Sequence, residues 1–304
     1  MPPRDQSASS RQTAAYNRAP LVDMSESVLW RSILFVPGTA SDRFSKAFAA
    51  DADAVVLDLE DGVDPSHKDD ARKAVAAWLA APAFGRTERL VRVNAPNSPF
   101  LARDLAWLPA IEGRYEGIVL PKVESPEQIA KIAQSIPSRR VIPLLETARG
   151  IIRAREIVVA DADIPAVFFG AEDLTAELGI PRTVDGEELL AARGQVVLAA
   201  ASIDADPIDA VWVEIARLER LRLDAKRARA LGFTGKMAIH PDQVPVINQV
   251  FKPTSDEINA ARKVVQAAEA ARARGEGVFR LDDRMVDAPV IRRAEKVLAR
   301  AGLT

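Results

Sequence analysis

From Arg31 onward the chain repeats one pattern: a short apolar run that closes on polar residues, then an Ala-rich amphipathic stretch. The runs are Ser32–Pro37, Ala54–Glu60, Arg89–Asn94, Gly117–Val123, Val141–Glu146, Ala166–Phe169, Ile208–Val213 and Lys236–His240. Most are continuous in Val, Ile, Leu and Phe rather than alternating, as parallel strands covered on both faces are. Helical spacing fills the intervals, as in Lys68–Leu79, Pro126–Ser135, Glu187–Ala201 and Leu218–Leu231. Such alternation predicts βα units on a parallel sheet, and eight of them fit an α/β fold of the closed (β/α)₈ TIM-barrel type. A doubly wound open sheet would call for a GxGxxG turn after an early strand, and the sequence has none. Beyond the eighth run, Ser255–Arg274 reads as a long helix, Gly275–Val286 as a loop and Ala288–Ala301 as a last helix. This C-terminal helical extension is more than a barrel needs and suits a lid, an oligomer arm or a cap. The expected division is a tail at 1–27, a barrel domain at 28–252 and the extension at 253–304.

Composition narrows the chemistry. The 304 residues are 48% hydrophobic with a formal net charge of −2, enough for one large core and without the basic field that nucleic acid or an anionic membrane attracts. No stretch of about 18 apolar residues is present to span a bilayer. There is no cysteine, which removes disulfides, thiolate nucleophiles and cysteine zinc sites. Only His67 and His240 are available, so acid–base work falls to carboxylates, lysine, tyrosine or water. Met1 to Ser27 is rich in Ser, Ala, Arg and Pro, lacks the apolar core of a secretory signal, and reads as a disordered tail. Its Arg/Ser bias is shared with mitochondrial transit peptides, but a cytoplasmic protein is the expectation.

Chemistry in a TIM barrel sits at the C-terminal strand ends, and acids recur there. The second run closes on Asp58-Leu59-Glu60-Asp61-Gly62, the fifth on Glu146-Thr147, and the sixth leads into Gly170-Ala171-Glu172-Asp173. The third carries Arg92 and Asn94, and the fourth ends at Pro121-Lys122. Any one acid reads equally well as a helix cap or a partner of Arg92 or Lys122. Three acidic clusters converging with two cations are harder to dismiss, because buried acids are costly unless paired or metal-bound. An all-oxygen site favours a hard cation such as Mg²⁺, and Glu146 and Asp173, read as lying on adjacent strands, are the candidates to share it.

Longer motifs then point to a family. Arg31-Ser32-Ile33-Leu34-Phe35-Val36-Pro37-Gly38 with Arg43 and Lys46, and Asp58-Leu59-Glu60-Asp61-Gly62-Val63 with Lys68, Ala71 and Arg72, occur in order. Val91-Arg92-Val93-Asn94, Leu120-Pro121-Lys122, Glu146-Thr147-Ala148-Arg149-Gly150 and Phe169-Gly170-Ala171-Glu172-Asp173-Leu174 follow. Gly232 to Pro241 and Met285-Val286-Asp287-Ala288-Pro289 complete the series. Nearly everything after the tail resembles the citrate lyase beta-subunit-like family, within the HpcH/HpaI aldolase/citrate lyase superfamily that includes malyl-CoA and citramalyl-CoA lyases.

That resemblance implies a TIM barrel in a homotrimer or trimer-based hexamer, with Mg²⁺ as cofactor held by Glu146 and Asp173. It implies Arg92 as a contact to the substrate carbonyl or carboxylate, and Asp287 as a catalytic carboxylate reaching the site from a neighbouring subunit. Glu60 and Asp61 are expected to orient Arg92 and Lys122 or to hold water around the metal. The Gly235–Pro241 segment, with Ile239, His240 and Pro241, is expected to hold a CoA-type arm, with Arg43 and Lys46 near its phosphates. Two of these residues also have ordinary readings: Asp287 as a helix N-cap with Pro289 behind it, and His240 as a hydrogen-bonded structural histidine. The implied reaction is retro-Claisen cleavage of a 3-hydroxy acid thioester (malyl-CoA, citramalyl-CoA or a citryl thioester, on CoA or an acyl-carrier protein). Alternatives are a malyl-CoA-type thioesterase, a class II 2-oxo acid aldolase and a non-catalytic CoA-binding complex subunit. The Asp58–Val63 and Gly235–Pro241 motifs argue against the aldolase, and retention of Arg92, Glu146, Asp173 and Asp287 argues against a decayed site.

Overall fold

The apolar runs close into one parallel barrel in chain order: β1 (Ser32–Pro37), β2 (Ala54–Asp58), β3 (Glu88–Arg92), β4 (Gly117–Leu120), β5 (Arg140–Leu145), β6 (Ala166–Phe169), β7 (Asp206–Asp209) and β8 (Gly235–Ala238), which pairs back with β1. The computed structural model describes residues 30–82, 85–136, 140–160 and 163–303, so the expected tail, Met1 to Ser27, lies outside the described residues. Several strands stop short of their apolar runs: β2 ends at Asp58 rather than Glu60, and β7 at Asp209 rather than Val213. The remaining apolar residues, such as Leu59 and Trp212, stay buried under loops without extending the ladder, which is why hydrophobicity alone overshoots the strand end.

The alternation of side chains across a strand sorts the core into two shells. Ile33, Ala54, Val56, Leu90, Val119, Ile142, Leu144, Ala166, Phe168, Ile208 and Met237 fill the barrel interior as one cluster. Their neighbours Leu34, Val55, Leu57, Val91, Ile118, Leu145, Val167 and Phe169 pack outward against the helices. Each fully buried Val, Leu, Ile, Phe or Met among them contributes about 1.5–3 kcal/mol. Continuing the inner parity one step toward the C-terminal ends gives Phe35, Asp58, Arg92, Glu146 and Gly170. The same alternation that fills the barrel therefore aims the polar groups into its mouth.

The opposite parity at β7 and β8 points Asp209 and Lys236 outward, into the helix layer. There Arg193 of helix Leu190–Ala201 forks onto Asp209 at 2.9 and 3.0 Å and reaches Asp224 of helix Leu218–Leu231 at 3.0 Å. Lys236 closes the group, with Nζ 2.5 Å from Asp209 and 2.6 Å from Asp224.

The extension consists of helix Ser255–Ala273, opened by a Thr254–Glu257 capping box, and helix Ala288–Arg300 packed along it through Ala261, Ala294 and Leu298. The segment expected as a plain loop holds an antiparallel pair instead, β9 (Phe279–Leu281) with β10 (Arg284–Val286). Three-residue strands, half of whose side chains are exposed, leave no alternation to read, and Asp282, at φ 52°, makes the turn between them. At its far end the last helix is tied to the foot of the barrel by Arg300–Asp206, 2.8 Å, at the first residue of β7.

Candidate active site

One connected charge network occupies the C-terminal mouth. Arg92, the last residue of β3, lies in register with Asp58, the last of β2. Its Nε and Nη2 donate to the two carboxylate oxygens of Asp58 at 2.6 and 2.8 Å, and Phe35 lies beneath the guanidinium at 5.2 Å. A bidentate fork of this kind fixes the guanidinium plane. Asp58 also accepts the backbone N–H groups of Glu60 (2.8 Å) and Gly62 (2.9 Å), which folds the chain after β2 back over the strand end. The buried Lys68 ammonium donates to the carbonyls of Leu59 (2.7 Å) and Glu60 (2.8 Å) and holds that turn from below.

Glu60 and Asp61 meet both cations unequally. Glu60 lies 3.3 Å from Arg92 Nη1 and accepts from Lys122 Nζ at 2.5 Å, while Asp61 accepts from Lys122 Nζ at 2.7 Å. Burial pushes the Glu60 carboxyl up against the pull of Arg92 and Lys122, whereas for Asp61 the Lys122 and Glu60 hydrogen bonds overcome burial and lower it. Burial also pulls Lys122 down, but its bonds to Asp61 and Glu60 outweigh this and raise its pKa, so the ammonium stays charged.

Glu146 is one residue beyond β5 and 2% exposed; one of its oxygens accepts the Lys122 backbone N–H at 2.9 Å. Burial, then the negative charge of Asp173, push its carboxyl up to about 8. Asp173 was expected at a strand end; it stands instead in the first turn of helix Ala171–Leu178, because Gly170 ends β6 and caps that helix. The glycine is required there: a Cβ at Gly170 would fall 2.4 Å from the Glu146 Cβ and 2.5 Å from its Oε2. Asp173, with a side chain 34% exposed, lies 3.4 Å from Lys122 Nζ.

Two neighbouring carboxylates, one pushed up by burial and then by the other's charge, are a donor set that a hard divalent cation would satisfy. Among the described residues no group of three or more His, Asp or Glu is arranged to hold a metal. The fit is therefore to Mg²⁺, which takes one or two carboxylates plus water and substrate oxygens, rather than to an all-protein cage.

Other expected site residues stand apart from this network. Arg43 and Lys46 are exposed on helix Ser41–Phe48, just after β1. Ile239, His240 and Pro241 follow β8, where the His240 ring accepts the Asp242 N–H at 3.2 Å and caps a short turn. Asp287 accepts the Val290 N–H at 3.3 Å as N-cap of the last helix, on an extension anchored at the foot of its own barrel. His67 is solvated and precedes helix Lys68–Leu79. Two features went unread in the sequence. Asp58, and not the acids after it, takes the Arg92 fork, although inner-face parity on β2 pointed there. Lys122 adopts φ 51°, a left-handed backbone costing a non-glycine residue about 1–2 kcal/mol.

Comparison with known proteins agrees with the geometry. A closed parallel barrel with acids and an arginine gathered at its C-terminal mouth is the arrangement of a TIM-barrel enzyme. Residues 31–241 match the family model described as HpcH/HpaI aldolase/citrate lyase, and residues 192–303 match one described as a C–C bond lyase of the TIM-barrel fold. A citrate lyase subunit beta-like protein of Deinococcus radiodurans is 38% identical over 288 residues, covering 89% of this chain and 97% of that one. The mitochondrial citramalyl-CoA lyase of Rattus norvegicus is 31% identical over 289 residues, covering 89% and 86%. A Mycobacterium tuberculosis protein, CitE, solved with magnesium, acetoacetate and coenzyme A, superposes with a TM-score of 0.75 at 38% identity, covering 90% of this chain and 98% of that one. The chain belongs to the HpcH/HpaI aldolase/citrate lyase family, as a carbon–carbon lyase.

Proposed function

We propose that this chain cleaves a 3-hydroxy acid thioester of the malyl-CoA, citramalyl-CoA or citryl type into an oxo acid and an acetyl thioester. The observation that carries the reading is the pairing of Glu146 and Asp173 beside a rigidly forked Arg92 at the barrel mouth. Glu146 and Asp173 would hold Mg²⁺, as Mg²⁺ is present in the CitE structure. Bound there, the ion would lower the pKa of the substrate hydroxyl and favour the oxo acid.

The chain's own groups do the rest. Asp58 takes one edge of Arg92, so the Nη1 side, 3.3 Å from Glu60, faces the substrate carbonyl or carboxylate. The substrate hydroxyl's proton passes by way of water to Asp287, the carbon–carbon bond breaks with its electron pair going to the thioester enolate, and Asp287 returns that proton to the enolate carbon. Arg92 supplies the fixed positive charge that the enolate needs. Asp287 is the carboxylate that exchanges the carbon-bound proton, delivered from a neighbouring subunit of a homotrimer or trimer-based hexamer. Its place on an extension tied to the foot of its own barrel supports delivery to another subunit's mouth. Arg43, Lys46 and the Ile239–Pro241 segment receive the CoA arm, with an acyl-carrier thioester as the other carrier.

The test is a panel of malyl-, citramalyl-, methylmalyl- and citryl-thioesters incubated with Mg²⁺ or EDTA, with products identified by mass spectrometry. An oxo acid with an acyl thioester, formed only with Mg²⁺, is expected. A free hydroxy acid with free thiol would make the protein a thioesterase, and no turnover of any member would remove the catalytic reading. For the shared site, mixed Asp287→Asn and Arg92→Ala chains should regain activity once subunits exchange; exchange without recovery sinks that part.

A further inference from the structure

Lys122 is the one residue in the network that touches both candidate metal ligands: its backbone N–H donates to Glu146, and its ammonium stands 3.4 Å from Asp173. The same ammonium binds Glu60 and Asp61 at 2.5 and 2.7 Å. Its backbone sits at φ 51°, where glycine is the unstrained choice. A lysine at that position brings a charge that glycine cannot.

From this we infer that Lys122 is an internal counter-cation for the acid wall. It holds Asp173 and the two loop acids together while no metal is present, and it sets the metal affinity by competing for Asp173. The inference rests on the magnesium site proposed above. Before metal binds, the ammonium offsets the repulsion among Glu60, Asp61 and Asp173. When a divalent cation arrives, Asp173 must turn from Lys122 to the metal, while Glu60 and Asp61 keep the ammonium in place. Lys122 is thus a positioning residue, and its positive charge opposes the metal it helps to accommodate.

The sign of the effect separates this role from a merely structural one. A lysine that only braces the loop would, on removal, loosen the site and weaken metal binding. A competing cation would, on removal, leave Glu60, Asp61 and Asp173 under-compensated and tighten it. The charge step is a unit charge against a divalent ion a few ångströms away, which in a water-like environment amounts to about tenfold in affinity.

Full-length wild type, Lys122→Met, Lys122→Gln and Lys122→Arg are titrated with MgCl₂ by calorimetry, and their thermal midpoints are recorded with EDTA and with saturating Mg²⁺. Lys122→Met and Lys122→Gln are expected to bind Mg²⁺ about tenfold more tightly, and Lys122→Arg close to wild type. Their midpoints are expected to fall in EDTA and to recover on adding Mg²⁺ more than wild type does. Equal or weaker Mg²⁺ binding by a folded Lys122→Met or Lys122→Gln protein overturns the inference and leaves the metal site standing. A wild type that takes up no Mg²⁺, matched by Glu146→Gln, overturns the metal site itself and this inference with it.

Discussion

Two buried charge networks flank the barrel and obey different rules. In the wall, Arg193 and Lys236 face Asp209 and Asp224, two against two, all nearly inaccessible to solvent. At the mouth, Asp58, Glu60, Asp61, Glu146 and Asp173 face Arg92, Lys122 and Lys68, five acids against three cations. The wall is closed on itself: every charge has an opposite partner within 3.0 Å. The mouth carries excess negative charge around one deeply buried carboxyl. A network that balances serves the fold, and one left unbalanced where Asp61 and Asp173 reach solvent can take up a cation.

The largest effect we expect comes from breaking the balanced side. Lys236→Met removes one cation from a dry tetrad and leaves Asp209 and Asp224 sharing Arg193 alone. Such uncompensated burial typically costs about 3–5 kcal/mol. Urea denaturation should show that loss, while turnover per folded molecule stays near wild type. If stability were unchanged, the wall would not be the closed unit described here.

Exchanging arginine for lysine in both places sharpens the contrast. At Arg92 the swap keeps the charge but loses the fork onto Asp58 and the planar edge toward the substrate, so kcat should fall about a hundredfold with little change in stability. At Arg193 the same swap should leave kcat alone and cost about 1–3 kcal/mol of stability, since the two-point fork onto Asp209 is lost. Equal behaviour of the two variants, whichever property moved, would erase the functional distinction between the networks.

The barrel was the legible part of the chain because parallel strands buried on both faces are apolar runs, and nothing else repeats that way eight times. Helices Lys68–Leu79, Pro126–Ser135 and Leu218–Leu231 fall where their spacing predicts. Strand ends at the mouth were overread, since Leu59 and Trp212 are as buried in loops as they would be in strands. The convergence of Arg92, Glu60, Asp61 and Glu146 follows from strand order, but the Asp58 fork depended on side-chain parity. Asp173 shifted from strand end to helix because Gly170 interrupts the run. The wall tetrad was invisible: Arg193 and Asp224 on amphipathic helices look like solvated positions until the packing of helix on strand is known. The β9–β10 hairpin was too short and too exposed to leave a pattern.

The smallest expected effect is on pH dependence, where the two networks should have opposite signs. Burial, then Asp173, push the Glu146 carboxyl up to about 8, from an unfolded value of 4.5. Without metal, the native state therefore keeps a proton that the unfolded chain has already released across that interval. Native protein binding more protons means stability falls as pH rises from about 4.5 to about 8, by at most about 1.4 kcal/mol per pH unit. Asp224 behaves in reverse: burial would raise it, but Lys236 and Arg193 win and hold it well below the usual carboxylate range. Its contribution is complete above the unfolded value of 3.8 and is lost only as pH falls through the lower folded value. Urea midpoints in EDTA should thus decline between pH 7 and pH 8 in wild type, and less so in Glu146→Gln, which has no proton to lose there. Mg²⁺ should bind more tightly over the same rise in pH, because its ligand must be deprotonated. A wild-type midpoint that stays flat in EDTA, together with Mg²⁺ affinity independent of pH, would show that Glu146 is already ionised and that the mouth is compensated as fully as the wall.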